Sequence, residues 1–201
     1  NRVSIAEAEQ LVKEAFLKNG VKKAVAASVS TALVAAEAEG QVGHGFSRVK
    51  DYIAQVKSKK INVDAKIKIE HPKPTSISID ADYGFAYPAL DQAISEGALI
   101  AKEYGSAVVS IFNSHHCGAL SIQVEKMANR GLIGLMMANT PKAIAPWGGK
   151  EPFFGTNPIA FAVPRIAKDP LVIDLSLSKV ARGKIMHAKK VNTKIPEGWA
   201  L

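Results

Sequence analysis

Three short segments hold residue types that could do chemistry. The first runs from Gly40 to Arg48 and contains Gly43, His44 and Gly45, with Tyr52 four residues further on. A histidine can give up a proton near neutral pH, and an arginine can clamp a carboxylate through two parallel hydrogen bonds. If a helix starts near Gly45, Arg48 and Tyr52 share one of its faces. The spacing alone serves a helix-capping histidine beside a surface arginine equally well. Gly43-x-Gly45-x-x-Arg48 also approaches the dinucleotide-binding fingerprint. It fails as one, because Arg48 stands at the third glycine and the preceding segment has helical periodicity.

The second segment is Asn113-Ser114-His115-His116-Cys117-Gly118, placed between an apolar run and a helical pattern. Ligands bind beyond the carboxyl ends of such strands, and helix N-termini attract phosphate. Adjacent histidine side chains diverge and no neighbouring carboxylate or second cysteine completes a set, so no metal is expected. Cys117, a lone thiol beside glycine, is expected to be inert. The third segment is Ala145-Pro146-Trp147-Gly148-Gly149-Lys150, followed by Gly155-Thr156-Asn157-Pro158. Proline and paired glycine mark turns. Such a loop is either a structural crossover or a place where backbone N–H groups come close to a ligand.

The elements that must position these residues follow from periodicity. Ser4-Ile5-Ala6-Glu7 is a capping-box pattern, and Ile5, Ala8, Leu11, Val12, Ala15 and Phe16 then form one helical face. A second helix is expected over 22–39 and a third around Arg48, Tyr52 and Val56. After Asn62 the period changes to two: Ile67 and Ile69, then Ile77 and Ile79, alternate with polar residues and predict a hairpin or neighbouring strands. A helix over 88–104 closes at Gly105. Apolar runs at 107–112, 133–138, 159–163 and 171–175 predict buried strands, and 119–129 predicts a helix. Strands alternating with helices imply a layered α/β architecture. Residues 1–60 form a helical N-terminal part carrying His44 and Arg48, and 61–201 form the α/β part.

Composition narrows the classes. The chain has 201 residues, 47% of them hydrophobic, enough for a sizeable core. Its formal net charge of +8 is spread out, with doublets only at Lys22-Lys23, Lys59-Lys60 and Lys189-Lys190. That pattern argues against a nucleic-acid stripe and favours small anionic molecules. One cysteine cannot form an internal disulfide, which points to a reducing compartment. No stretch is long and apolar enough to span a bilayer, and no apolar leader precedes the first helix. A cytoplasmic protein is expected, without membrane or nucleic-acid partners.

Taken in order, these segments resemble the malate/L-lactate dehydrogenase family, whose NAD(P)-binding fold is layered α/β but not a Rossmann fold. The resemblance also rests on Ala101-Lys102-Glu103-Tyr104-Gly105, Asp174-Leu175-Ser176, Gly183-Lys184-Ile185 and Ile195-Pro196-Glu197-Gly198-Trp199-Ala200-Leu201. Each motif alone is weak; the ordered set, running through essentially the whole chain, is specific. It implies hydride transfer between NADH or NADPH and C2 of a small 2-oxo acid. His44 would be the acid that protonates the carbonyl oxygen, with His116 as a further catalytic residue. Arg48, Tyr52, Thr156 and Asn157 would face the substrate. His116, Cys117, Gly118, Ala119, Leu120, Thr140, Asp174, Leu175 and Ser176 would line the cofactor. It further implies a homodimer with sites near the subunit boundary. Family chains continue past the Trp199 segment, so the C-terminal portion of the fold is expected to be missing or supplied as a separate segment.

Two departures bear on mechanism and substrate. Family members commonly carry serine just before the histidine, a residue credited with orienting it, and here Gly43 stands there; a water molecule can substitute for a lost hydroxyl. The His115-His116 pair resembles the cyclic imino acid reductases of the family, which place an acidic residue where this chain has Lys184; Lys184 resembles the hydroxy-acid dehydrogenases. A reductase of a cyclic imino acid such as Δ1-piperideine-2-carboxylate is therefore the alternative, and a non-catalytic cofactor-binding fragment the second alternative.

Overall fold

The computed structural model describes residues 2–180, 184–185, 188–189 and 191–199; Gly183, Ala200 and Leu201 of the motifs above lie outside them. Three helices open the chain: α1 (Ile5–Leu17), α2 (Lys23–Ala38) and α3 (Ser47–Lys57). The capping box forms as expected. Ser4 Oγ accepts from the Glu7 N–H at 3.2 Å, and Glu7 Oε2 accepts from the Ser4 N–H at 2.8 Å. The apolar faces of the helices meet in a core built on Phe16, Val29, Leu33 and Tyr52, which continues past residue 60 into Ile61, Phe85 and Tyr87. Tyr52 of α3 is thereby locked in place, with Arg48 one turn earlier nearer the surface.

Two three-stranded sheets follow. In the first, β1 (Lys68–Lys73) and β2 (Ser76–Asp80) form the expected hairpin, and β3 (Val108–Phe112) pairs parallel to β2 after α4 (Ala86–Tyr104). Gly105 ends α4 at φ 87°, a left-handed conformation that glycine adopts without a Cβ penalty. In the second, β4 (Gly134–Met137), β5 (Ile159–Arg165) and β6 (Lys168–Leu175) run antiparallel in that order. The connecting α5 (Leu120–Ala128) lays Leu120, Val124 and Ala128 on Ala160 and Ala162.

The expectation of buried strands at 107–112, 133–138 and 171–175 is corrected. Each sheet has one covered face, packed by α4 or α5, so alternate residues point outward. Val108 is 68% exposed, Leu135 56%, Met137 64% and Ile173 45%. Trp199 is half-buried. The same alternation positions the chemistry. Asp174 pairs with Ala160 and so lies on the side of the second sheet that faces α5, at the end where α5 begins.

Candidate active site

His44 sits in the turn between α2 and α3 and His116 in the extended segment between β3 and α5. Separated in sequence by the whole of the first sheet, they meet with their rings nearly parallel: centroids 5.6 Å apart, planes at 8°. Gly45 is required for the turn to close. A Cβ there would lie within 2.9 Å of the Glu37 backbone, and the Glu37 carboxylate accepts from the Phe46 N–H at 2.8 Å. Arg48 Nε donates to the Gly43 carbonyl at 2.6 Å, tying the arginine to the residue before His44. Its Nη1 comes no closer than 4.0 Å to Asp51, so the terminal fork stays available to a ligand.

The surroundings set the charge states. Burial, then the Arg48 guanidinium, hold the His44 pKa below its ordinary value, while the Asp174 carboxylate pulls it back up. His116 is pushed down to about 3 by burial first, then by Arg48, His44 and His115. His115 falls to about 4 through burial and Lys60. At neutral pH His115 and His116 are therefore neutral donors and acceptors, and His44 is the one histidine here whose charge a nearby carboxylate supports. Burial raises the Cys117 thiol, which stays protonated, in line with an inert cysteine.

Tyr52 is only 1% exposed. Its hydroxyl lies 2.7 Å from His116 Nδ1 and 3.1 Å from the Tyr87 hydroxyl, so its side chain bears on the site through His116. His115 Nε2 donates to Gln55 Oε1 at 2.6 Å, fixing the neighbouring ring from the same helix α3.

The second cluster gathers at one end of the β4–β5–β6 sheet. Met137, Ile159 and Leu175 are in register, so Thr140, Asn157 and the Asp174–Ser176 strand end emerge together. Asn157 Oδ1 accepts from the Thr140 N–H at 3.0 Å, and the Thr140 and Thr156 hydroxyls are 3.2 Å apart. Asn157 holds φ 32°, a region asparagine tolerates better than most residues. Gly155 has no room for a side chain against Thr140. The Leu177 N–H donates to the Thr156 carbonyl at 2.9 Å, extending β6 to this loop. Leu175, 49% exposed, points to the opposite face from Asp174.

Asp174 joins the two clusters. Its Oδ2 accepts from the Ser121 N–H at 2.8 Å, in the first turn of α5. The α5 N-terminus, which the sequence offered as a phosphate site, is thus already met by a carboxylate, and a phosphate there would face a like charge. The donor set does fit the sugar and amide portions of a nicotinamide cofactor. Asp174 Oδ1 is free of hydrogen bonds among the described residues and can accept from a hydroxyl, and Thr140 and Ser176 offer hydroxyls. Among the described residues no group of histidine, cysteine and carboxylates is arranged to hold a metal ion, and no helix is long and apolar enough to cross a membrane.

Sequence reasoning missed Tyr87, Gln55, Ser121 and Glu37. None belongs to a local motif; each enters the site through a contact that only the tertiary fold brings about.

Comparison with known proteins agrees with this architecture. The malate/L-lactate dehydrogenase family profile matches residues 3–201, and the chain belongs to that family. It is 47% identical over 199 residues to a (2R)-3-sulfolactate dehydrogenase (NADP(+)) of Chromohalobacter salexigens, covering 99% of this chain and 60% of the relative. It is 34% identical to a Delta(1)-pyrroline-2-carboxylate/Delta(1)-piperideine-2-carboxylate reductase of Pseudomonas putida, covering all of this chain and 59% of that one. The crystal structure of delta1-piperideine-2-carboxylate reductase from Pseudomonas syringae superposes with a TM-score of 0.93 at 33% identity, over 98% of this chain and 59% of the other. The chain thus spans about 60% of the length of these relatives.

Proposed function

We propose that the protein is an oxidoreductase transferring a hydride between NADH or NADPH and C2 of a small 2-oxo acid. The observation that carries this reading is the stacked His44–His116 pair with the Arg48 fork beside it. The cofactor supplies the hydride. Arg48 holds the substrate carboxylate through its terminal nitrogens, and Nε keeps the fork oriented by its bond to Gly43. His44 gives its proton to the carbonyl oxygen as the carbon is reduced, and regains one from solvent after the 2-hydroxy acid leaves. His116, neutral, offers a hydrogen bond but no proton. Thr156 and Asn157 complete the substrate side, and Thr140, Asp174 and Ser176 the cofactor side, with Cys117 to Leu120 between. The names of relatives specific for NADP(+) and for NAD(+) support both cofactors.

A cyclic imino acid is the second substrate class, favoured by the likeness to the piperideine-carboxylate reductase structure. A carbon–nitrogen double bond accepts hydride in the same geometry. A homodimer in the cytoplasm belongs to the same reading. The lone, half-buried Cys117 and the exposed apolar residues Leu135, Met137 and Ile173 support it.

The test is cofactor oxidation by the intact protein with NADH and NADPH against a panel of 2-oxo acids and cyclic imino acids. Turnover with 2-oxo acids is expected, and turnover confined to imino acids would move the assignment to the second class. Cofactor binding without turnover on any substrate would leave a binding protein and overturn the enzyme reading.

A further inference from the structure

Beneath the proposed site the hydroxyls of Tyr87 and Tyr52 and the imidazole of His116 form a short chain, with links of 3.1 Å and 2.7 Å. Tyr87 is 2% exposed and Tyr52 1%. Burial keeps both hydroxyls protonated: Tyr52 is pushed up to about 12, and Tyr87 further. The two hydroxyls carry two protons, and the direction of the chain decides where they go. If Tyr52 donated to Tyr87, the Tyr87 proton would have no acceptor among the described residues. A buried donor without a partner is costly. If Tyr87 donates to Tyr52, the Tyr52 proton falls on His116 Nδ1 and every group is satisfied. The backbone at Gly118 closes over the same hydroxyl: φ is +71°, and a Cβ there would lie 2.5 Å from Tyr87 Oη.

We infer that Tyr87 and Tyr52 are positioning residues that fix His116 as the Nε2–H tautomer and so present a permanent hydrogen-bond donor beside His44. The inference rests on the oxidoreductase reading for its purpose, and on the hydroxyl chain for its content. An Nδ1 that accepts a hydrogen bond must be unprotonated, so the ring carries its proton on Nε2. Arg48 from α3, His44 from the preceding turn and the adjacent His115 all disfavour a second proton on the same ring. His116 is then a donor from Nε2, placed to orient the substrate oxygen that His44 protonates in the proposed reaction.

The test needs no turnover. In the intact protein labelled with 15N-histidine, long-range proton–nitrogen correlation spectra read the tautomer of each ring, and His116→Gln identifies the His116 signals. The expected spectrum shows a single Nε2–H form with a bare Nδ1 at neutral pH. Tyr52→Phe removes the donor to Nδ1, and the His116 signals should move to a mixture of tautomers. Tyr87→Phe, which leaves Tyr52 in place, should give a smaller change in the same direction with the amide fingerprint preserved. An Nδ1–H form in the unmodified protein overturns the inference without any variant. So does a His116 spectrum that neither tyrosine substitution changes. Failure of the oxidoreductase reading would appear in the cofactor assay instead and leave this spectrum interpretable.

Discussion

In the proposed reaction Arg48 serves the site from both ends of its guanidinium. Nε is committed to the Gly43 carbonyl at 2.6 Å, which leaves the two terminal nitrogens as a planar fork for a carboxylate. Lysine has a single ammonium and cannot do both. Arg48→Lys should therefore raise KM for the 2-oxo acid about tenfold or more, the equivalent of one charged hydrogen bond, with a smaller change in kcat; steady-state kinetics of the purified variant checks this. Gly43 is the other informative residue. Nothing lies within 4 Å of a Cβ built there, so the serine common in the family has room. Gly43→Ser should be neutral or stabilising by about 0.5 kcal/mol, by restricting the unfolded chain. A hydroxyl that orients His44 should raise kcat about fivefold, the kinetic counterpart of one hydrogen bond worth about 1 kcal/mol. A fall in kcat with unchanged stability would show that His44 needs no such support here.

Asp174 connects a strand to a helix and so belongs to the scale of elements. Its carboxylate caps the first turn of α5 through Ser121 and raises the His44 pKa. Asp174→Asn keeps an oxygen that can accept from Ser121 but removes the charge. The helix should persist, losing about 0.3–1 kcal/mol of charge–dipole stabilisation. The His44 pKa should fall. Because His44 must be protonated to act as the proposed acid, the loss of kcat/KM on raising the pH should set in at lower pH in the variant. An unchanged profile would mean that another group donates the proton. Elements also mark the limit of what the sequence discloses. The capping box at Ser4, the helical faces and the β1–β2 hairpin are legible because their periodicities are local. How many sides of a strand are covered is not local, so the runs at Val108, Leu135 and Ile173 read as buried when one face of each sheet is open. The contacts Ser121–Asp174, Gln55–His115 and Tyr52–His116, 53, 60 and 64 residues apart, depend on register and packing that no motif encodes. His44, Arg48 and His116 stood out because histidine and arginine among glycines are conspicuous, whereas Tyr87 in a helix looks like any core aromatic.

At the scale of the molecule the buried histidines set a pH dependence of stability. His115 and His116 hold pKa values of about 4 and about 3 in the folded chain, against about 6.5 when unfolded. Above that unfolded value both states are neutral at these rings and the contribution is neutral. As the pH falls below it, the unfolded chain takes up protons that the folded chain refuses, so stability declines through pH 6 towards 4. The urea midpoint should be lower at pH 5 than at pH 7, and His115→Gln should narrow that gap; equal midpoints would contradict the burial of these rings. The neutral His116 that weakens the fold in acid is also the one the proposed reaction uses, beside a His44 whose proton the Asp174 carboxylate supports. The most direct test of that reaction follows the hydrogen itself. With NADPH or NADH deuterated at the transferable position of the nicotinamide and a 2-oxo acid as substrate, the account predicts a 2-hydroxy acid carrying deuterium at C2, detected by mass spectrometry. A 2-hydroxy acid without the label, or oxidised cofactor without that product, would contradict it.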